Sequence, residues 1–337
     1  MSSGEISRRI VLAKRPSGLP LETDFRLEET PIPSPADGQI LVRNQFLSVD
    51  PYMRGRMNEG ASYAPGLELG EVMVGGVVGE VIESRASGFK PGDIAQTQTG
   101  WQEFAVSDIA DARRVDPALA PISTSLGVLG MPGITAWVGL LDIGRPRDGE
   151  TVVVSGAAGA VGSLVGQIAR ITGCRAIGIT GTDAKISYLT DELGFDGAIN
   201  YRTQDVSAAL SEFCPDGIDV YFDNVGGEIS DSVLQQMNEG GRISVCGQIS
   251  QYNLADPETG PRLTWLFIVK RLMMRGFLVF DHSHRYIEAL REMATWLADG
   301  RLQYREDVID GLENAPAAFI GMLQGDNTGK RLVRLAT

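Results

Sequence analysis

The sequence predicts an α/β protein in which a doubly wound parallel sheet is inserted into a β-rich, barrel-like domain. The chain has 337 residues, more than one hydrophobic core usually organises, so two domains are expected. Short apolar runs between glycines and prolines fill the first third, and strands alternate with amphipathic helices in the middle. We therefore predict a first domain over residues 1–122, an inserted domain over 123–298, and a return to the first domain over 299–337.

The first domain is predicted to consist mainly of short strands. The runs that indicate strands are residues 10–13, 40–43, 72–82, 94–97 and 104–106. Turn residues such as Pro91 and Gly92 separate these runs. Frequent turns between short strands are typical of a barrel-like β domain.

The inserted domain is predicted from its repeated order of strand and helix. The predicted strands are residues 151–154, 175–179, 198–200, 218–222 and 242–246, and the predicted helices are residues 161–171, 184–193, 233–237 and 287–297. Strands joined by helices should be parallel and covered on both faces. A closing strand at residues 331–335 is assigned to the first domain.

A turn of small residues, 156–162, joins the first predicted strand of the inserted domain to its first helix. Small residues let a backbone approach a pyrophosphate closely, and a helix N-terminus supplies unpaired N–H groups and a favourable dipole. The order of elements here is a strand, a glycine turn, a helix and a second strand. This order indicates a Rossmann dinucleotide site around Gly159 and Gly162.

The end of the second strand indicates which dinucleotide is bound. Sites that prefer NADH place an acid there to bind the ribose 2′-hydroxyl. This strand ends at Thr180 and Gly181 without an acid, and Lys185 follows on the next helix, where it could hold a 2′-phosphate. NADPH is therefore the predicted cofactor, and Asp183 is the residue that could oppose this preference.

Composition excludes several classes of protein. Thirty Lys and Arg stand against 43 Asp and Glu, so the net charge of −13 disfavours binding to nucleic acid or to anionic membranes. The apolar stretch 263–280 is interrupted by three basic residues, which a membrane-spanning helix would not tolerate. Three widely spaced cysteines and the lack of a signal-peptide pattern predict buried, reduced thiols in a cytoplasmic protein.

The sequence also disfavours metal catalysis and two other enzyme classes. A catalytic zinc needs three Cys, His or carboxylate ligands, yet Cys174 is the first cysteine and His282 the first histidine. His282 and His284 form a pair without a cysteine partner nearby, so no metal site is expected. No tyrosine has a lysine four residues later, as a short-chain reductase requires, and the Gly-x-Ser-x-Gly motif of hydrolases is absent.

Six stretches in order along the chain carry a family resemblance. They are residues 48–57, 156–163, 221–227, 246–253, 311–316 and 325–330. Together they resemble the zinc-free medium-chain dehydrogenase/reductases of the prostaglandin reductase (leukotriene B4 12-hydroxydehydrogenase) type, especially the bacterial curcumin reductase-like branch. The resemblance implies a GroES-like catalytic domain that holds the inserted Rossmann domain, a homodimer, and NADPH-dependent reduction of the C=C bond of an α,β-unsaturated ketone or aldehyde.

The resemblance also implies roles for individual residues. Gly159, Ala160, Val161 and Gly162 would contact the pyrophosphate, Lys185 and Tyr201 the 2′-phosphate end, and Asn224 the ribose region. The residues implied on the nicotinamide side are Cys246, Gly247, Ile249, Ser250, Tyr252, Phe277, Leu278, Val279 and Asn327.

Enone reduction needs a hydrogen-bond donor for the developing enolate oxygen, and a neutral phenol can supply it near pH 7. Tyr252 is the first candidate, since it follows the loop expected to cross the nicotinamide, and Tyr52 is the second. Either could instead be a packing tyrosine, and the α-carbon proton can come from water. Two alternative functions stay open: a quinone reductase on the same scaffold, and a non-enzymatic NADPH-binding protein.

Overall fold

The computed structural model describes residues 6–60 and 62–335 and divides into two compact units. The first unit comprises Met1–Gly127 with Glu306–Thr337, and the second comprises Val128–Arg305. Strands and helices are numbered in chain order across both units. The described residues include no helix that combines the length and the hydropathy needed to cross a membrane.

The first unit is built mainly of strands. Its strands are β1 Ile6–Leu12, β2 Phe25–Pro31, β3 Gln39–Ser48, β4 Val77–Ser84, β5 Ile94–Thr97, β6 Phe104–Asp108, β7 Arg113–Val115, β14 Glu306–Asp310 and β15 Lys330–Arg334. Its helices are α1 Tyr52–Arg56 and α9 Ala315–Leu323, and its 3-10 segments are Glu22–Asp24, Ile109–Asp111, Ile122–Leu126 and Leu312–Asn314. A seven-stranded sheet has the order β14-β15-β3-β4-β5-β7 with β6 also paired to β3, and β1 and β2 form a separate pair.

The core of the first unit combines aliphatic strand residues with an aromatic cluster. Ile40 and Val42 of β3 are fully buried against Val81 of β4. Trp101 stacks on Phe25 with a ring-centroid distance of 5.6 Å, and both meet the edge of Phe319. Leu41, between Ile40 and Val42, is also buried, so this part of β3 is covered on both faces.

The second unit alternates strands and helices. Its strands are β8 Thr151–Ser155, β9 Arg175–Thr180, β10 Gly197–Asn200, β11 Ile218–Asp223, β12 Met237–Val245 and β13 Met273–Gly276. Its helices are α2 Met131–Trp137, α3 Gly162–Ile171, α4 Asp183–Ser187, α5 Val206–Phe213, α6 Gly227–Gln236, α7 Thr264–Val269 and α8 Tyr286–Ala298, with π-helical segments Val138–Gly144 and Tyr188–Glu192 and a 3-10 segment Val279–Arg285.

The six strands of the second unit form one parallel sheet in the order β10-β9-β8-β11-β12-β13. Both faces are buried. Val154 and Phe222 pack beneath α3, whereas Val153 and Tyr221 pack beneath α5 and α6. Because β8, β9 and β11 run in register, Ser155, Thr180 and Asp223 end at the same edge of the sheet. This edge is where a doubly wound sheet binds its ligand.

The observed elements differ from the predicted ones mainly at their ends. The predicted helix 184–193 is a single turn of α4 followed by a π-helical segment. The predicted helix 233–237 is the last part of α6, and Met237 already starts β12. Leu126 packs against Leu332, which keeps residues 123–127 with the first unit. Leu302 lies in the core of the second unit, so residues 299–305 stay with that unit.

Candidate active site

The glycine turn after β8 is a tight loop held by its own backbone. Gly156 has a φ of +59°, a conformation that favours glycine, and its carbonyl oxygen accepts a hydrogen bond of 3.0 Å from Gly159 N. A Cβ on Gly162 would lie 2.4 Å from that same oxygen, so a side chain cannot be added without moving the turn. The sequence here specifies a backbone shape, as a pyrophosphate site requires.

The turn opens directly into α3, a helix of ten residues. Gly159, Ala160 and Val161 are half-exposed, while Gly162 is buried where the helix begins. The first-turn N–H groups of a helix lack intrahelical acceptors and carry partial positive charge. The four residues predicted to contact a pyrophosphate thus lie where the turn meets the start of α3.

Lys185 lies in the first turn of α4, just beyond the end of β9. Thr182 is the N-cap of this helix, and its side-chain oxygen accepts a hydrogen bond of 3.3 Å from Lys185 N. The Lys185 side chain is half-buried. The cap fixes the helix start, and hence the position of the lysine relative to the strand end where a 2′-phosphate would lie.

Asp183, which could have opposed an NADPH preference, is held by a neighbour. Its Oδ1 accepts a hydrogen bond of 2.6 Å from Asn200 Nδ2, at the end of β10. Tyr201 and Arg202 follow Asn200 and converge on Gly181: a Cβ built there would lie 3.0 Å from Tyr201 Cε1 and 3.3 Å from Arg202 Nε. The end of the second strand is thus bordered by a tyrosine and two cations, Lys185 and Arg202.

The carboxylate of Asp223, at the end of β11, is a buried hydrogen-bond centre. Its side chain is 3% exposed. Its donors are Ser155 Oγ at 3.0 Å, Tyr221 Oη at 2.9 Å, Val225 N at 3.0 Å, Gly226 N at 2.9 Å and Ser230 Oγ at 2.5 Å. This network joins the ends of two adjacent strands to the loop that follows one of them.

Asn224 is fixed against the end of β8. Its backbone N donates to Ser155 Oγ at 3.0 Å, and its Nδ2 donates to Ser155 O at 2.8 Å. Its own carbonyl accepts from Ile249 N at 3.2 Å. The residue predicted near the ribose therefore lies between the glycine-turn strand and the loop after β12.

The loop 246–252 folds over the loop 223–226. Cys246 N and Gly247 N both donate to Asp223 O, at 2.8 and 3.1 Å. Ser250 donates to Val225 O through its backbone N at 3.1 Å and through its Oγ at 2.6 Å. Burial, and next the charge of Asp223, raise the pKa of the Cys246 thiol to about 12, so it is protonated near neutral pH and not a nucleophile.

Tyr252 ends this loop with its hydroxyl turned back toward the loop's start. Its Oη accepts a hydrogen bond of 3.2 Å from Gln248 N, which leaves the hydroxyl proton to be donated elsewhere. Burial raises the pKa of this phenol, and the hydrogen bond from Gln248 only partly counters that effect. Tyr252 is thus a neutral donor at physiological pH.

Residues 277–279 follow β13. Phe277 meets Phe222 edge to face, with a centroid distance of 6.4 Å. Val279 is buried, whereas Leu278 is 36% exposed. Phe277 and Val279 consequently serve the core of the second unit, and Leu278 is the more accessible of the three.

Tyr52 and Asn327 belong to the first unit. Tyr52 begins α1, and burial followed by the charge of Asp50 raises the pKa of its phenol well above the usual range. Asn327 Nδ2 donates to Gly329 O at 2.8 Å, within the turn before β15. All other predicted site residues lie in the second unit, at or near the carboxyl ends of its parallel strands.

The cysteines and acidic residues do not assemble a metal-ligand set. Across residues 6–60 and 62–335, no three His, Cys, Asp or Glu side chains are grouped as a metal ion would require. Cys174 and Cys214 are buried free thiols, as predicted, whereas Cys246 is only half-buried. Burial raises the pKa of the Cys214 thiol to about 11.

Comparison with known proteins identifies the family of this chain. Two family models match it, one described as "N-terminal domain of oxidoreductase" over residues 8–115 and one described as "Zinc-binding dehydrogenase" over residues 160–295. The NADPH-dependent curcumin reductase of Escherichia coli (strain K12) is 46% identical over 98% of this chain and 97% of that protein. Prostaglandin reductase 1 of Bos taurus is 43% identical over 96% and 97%, respectively.

The chain belongs to the medium-chain dehydrogenase/reductase superfamily, in its prostaglandin reductase and curcumin reductase branch. A crystal structure of CurA in complex with NADPH from Vibrio vulnificus superimposes with a TM-score of 0.95 at 47% identity, covering 98% of this chain and 99% of that chain. The resemblance seen in the six sequence stretches is confirmed, and so is the predicted medium-chain dehydrogenase/reductase fold, a Rossmann sheet combined with a β-rich GroES-like domain.

Several residues that the structure brings to this candidate site were missed by sequence reasoning. They are Ser155, Thr182, Arg202, Tyr221, Asp223 and Ser230. Tyr221 and Asp223 stand inside the stretch that carried the family resemblance, and Arg202 directly follows Tyr201. The signal that could have found them is their position, since all but Ser230, which lies in α6, are at the carboxyl end of a parallel strand or within two residues of it.

Proposed function

We propose that this protein is an NADPH-dependent reductase of the C=C bond of α,β-unsaturated ketones or aldehydes. The observation that carries the proposal is the Tyr252 phenol, a neutral donor on a loop hydrogen-bonded to the strand ends that form the dinucleotide site. Full-length relatives include proteins named NADPH-dependent curcumin reductase, prostaglandin reductase 1 and, in Nicotiana tabacum, 2-alkenal reductase (NADP(+)-dependent).

We propose the following roles for the chain's own residues. Gly159, Ala160, Val161 and Gly162 bind the pyrophosphate, with Gly159 N shaping the turn and the N–H groups at the start of α3 as donors, and Lys185 with Tyr201 binds the 2′-phosphate end. Asn224 positions the ribose. The residues proposed to line the nicotinamide side are Cys246, Gly247, Ile249, Ser250, Tyr252, Phe277, Leu278, Val279 and Asn327.

NADPH, when bound, supplies the hydride that adds to the β-carbon of the substrate. The protein stabilises the negative charge that then develops on the carbonyl oxygen. Tyr252 Oη donates its hydrogen bond to that oxygen, and the bond strengthens as charge accumulates. Tyr52 is the second candidate for this donor. The α-carbon is protonated last, from water, which completes the saturated ketone or aldehyde.

A panel of substrates tests this function. NADPH oxidation is followed with cyclic and linear enones, 2-alkenals, saturated ketones and quinones, and the products are identified by mass spectrometry. A saturated carbonyl product carrying two added hydrogen atoms is expected from the enones and alkenals. Turnover of quinones alone with a semiquinone signal would identify a quinone reductase, and NADPH binding without any turnover would identify a non-enzymatic binding protein.

Activity is expected to survive complete removal of divalent metal. The physical reason is that cysteine and histidine are missing from the segments where a catalytic zinc would need ligands. The measurement is kcat/KM after prolonged dialysis against EDTA and then 1,10-phenanthroline. A loss of turnover that added Zn²⁺ restores would contradict the metal-independent mechanism.

We also propose that the protein is a cytoplasmic homodimer with no nucleic-acid or membrane partner. The edge strand β13 carries exposed Met273 and Met274, and the neighbouring helix α7 exposes Trp265 and Ile268. An open strand edge beside apolar side chains favours pairing with a second copy. Sedimentation velocity should give the mass of a dimer, whereas Met274→Asp should give a monomer; a monomeric wild type would contradict the proposal.

A further inference from the structure

We propose that Asp223 is a positioning residue that holds the nicotinamide-side loops of the site in their binding geometry. The inference rests on the NADPH site proposed above and extends it to a residue that is too deeply buried to contact the cofactor. It makes the carboxylate the group that fixes the loop 223–226, whose backbone oxygens accept hydrogen bonds from the loop bearing Tyr252.

The chemistry of the five donors favours a carboxylate at this position. Three hydroxyls and two backbone N–H groups all point at the two Asp223 oxygens. An ionised carboxylate accepts at both oxygens, whereas an asparagine that keeps its oxygen at the Oδ1 position, where four of the donors lie, would turn its NH₂ group toward Ser230 Oγ. Hydrogen bonds to a charged acceptor are also stronger than bonds to a neutral one.

The bonds of Asp223 reach the two loops of the nicotinamide side that follow β11 and β12. Through Ser155 Oγ the carboxylate is linked to Asn224 N, and through Val225 N and Gly226 N it fixes the turn after β11. Its backbone oxygen accepts from Cys246 N and Gly247 N, where the loop 246–252 begins. The position of this loop therefore depends on the conformation of residue 223.

The charge of Asp223 also acts on the candidate donor. It contributes to raising the pKa of the Tyr252 phenol, although burial is the larger cause. The 2′-phosphate end of the site is elsewhere along the sheet edge, because Lys185 and Tyr201 lie after β9 and β10, whereas the five donors to the Asp223 carboxylate come from β8, β11, the loop after β11 and α6. A positioning role thus predicts that a change at Asp223 weakens the binding of the nicotinamide half of the cofactor and not the binding of the 2′-phosphate half.

The test compares Asp223→Asn with the wild type in equilibrium binding. NADPH affinity is measured by fluorescence titration, and 2′,5′-ADP, which lacks the nicotinamide half, is measured by calorimetry. We expect the Kd for NADPH to rise roughly tenfold to a hundredfold, as loss of a bond to a charged group implies. The Kd for 2′,5′-ADP should stay within about twofold, since its contacts are made elsewhere, and kcat should fall because Tyr252 is displaced.

Asp219→Asn is the matched control, because Asp219 lies on the same strand and accepts from Thr151 N at 2.9 Å and Asn238 Nδ2 at 2.8 Å, at the opposite end. It should leave both affinities unchanged. If Asp223→Asn does not fold, Ser230→Ala and Tyr221→Phe are measured instead, since each removes one donor. Each should weaken the binding of NADPH and leave the binding of 2′,5′-ADP unchanged.

The proposal would be overturned if the variants bound NADPH and 2′,5′-ADP more weakly by the same factor. It would also be overturned if the variants that fold bound NADPH with unchanged affinity. A wild type that does not bind NADPH would instead overturn the cofactor site itself, so the two failures are distinguishable.

Discussion

Replacement of Tyr252 by phenylalanine is expected to lower kcat strongly while changing KM for the enone much less. The Tyr252 hydroxyl accepts from Gln248 N and has its proton available, so the lost interaction is one that strengthens in the transition state. Loss of one such donor typically costs about 2–4 kcal/mol, which corresponds to roughly thirtyfold to several hundredfold in kcat. Steady-state kinetics at saturating NADPH measure both parameters.

Tyr188→Phe is the matched control, since it removes another buried phenol hydroxyl from the same unit, beneath Arg305. Tyr52→Phe is measured in parallel. If Tyr252→Phe keeps the wild-type kcat and Tyr52→Phe does not, the donor is Tyr52. Because burial raises the pKa of Tyr252, the donating form persists as pH rises, and kcat should stay level through mildly alkaline pH before it falls.

Lys185→Ala is expected to raise KM for NADPH by about tenfold to a hundredfold and to leave KM for NADH nearly unchanged. The lysine is fixed by the Thr182 cap beside a strand end without an acid, and Asp183 is held by Asn200. The 2′-phosphate adds negative charge that only NADPH carries, so only NADPH should lose the charge-assisted contact. Kinetics with both cofactors supply the comparison.

Arg175→Ala provides the control for charge, because Arg175 starts β9 at the opposite edge of the same sheet and its Nη2 donates to Phe213 O. It should change neither KM. Equal use of NADPH and NADH by the wild type would refute the cofactor assignment. If Lys185→Ala has little effect while Arg202→Ala raises KM for NADPH, the 2′-phosphate is bound by Arg202.

The sequence predicted the parts of the fold that depend on local pattern. The strand 94–97 was predicted with the bounds that the structure has, and α3 and β9 differ from prediction by one residue at one end. These segments combine a clear apolar period with turn residues at both ends. The strand β13 was missed because all four of its residues are exposed, so its sequence carries no apolar alternation.

The site was predictable where it depends on backbone shape and not where it depends on contacts between distant segments. The glycine turn and Lys185 follow from residue type and order alone. The pairing of Asp183 with Asn200 joins residues on different elements, and the five donors to Asp223 come from two strands, a loop and a helix. Such contacts exist only after the parallel strands are in register, so the order of residues does not reveal them.

The order in which the chain is synthesised determines when the seven-stranded sheet can be completed. Residues 128–305 are synthesised between the early strands of that sheet and its last two, β14 and β15. The parallel sheet lies within one continuous stretch of chain and can form during synthesis, but the last three residues of β3, Phe46 to Ser48, pair only after Leu332 and its neighbours have been synthesised. Until then that edge of β3 has open N–H and C=O groups, the feature that promotes wrong pairing between nascent chains. A growing polypeptide of this kind is therefore most exposed to aggregation late in translation, when most of it has already been made.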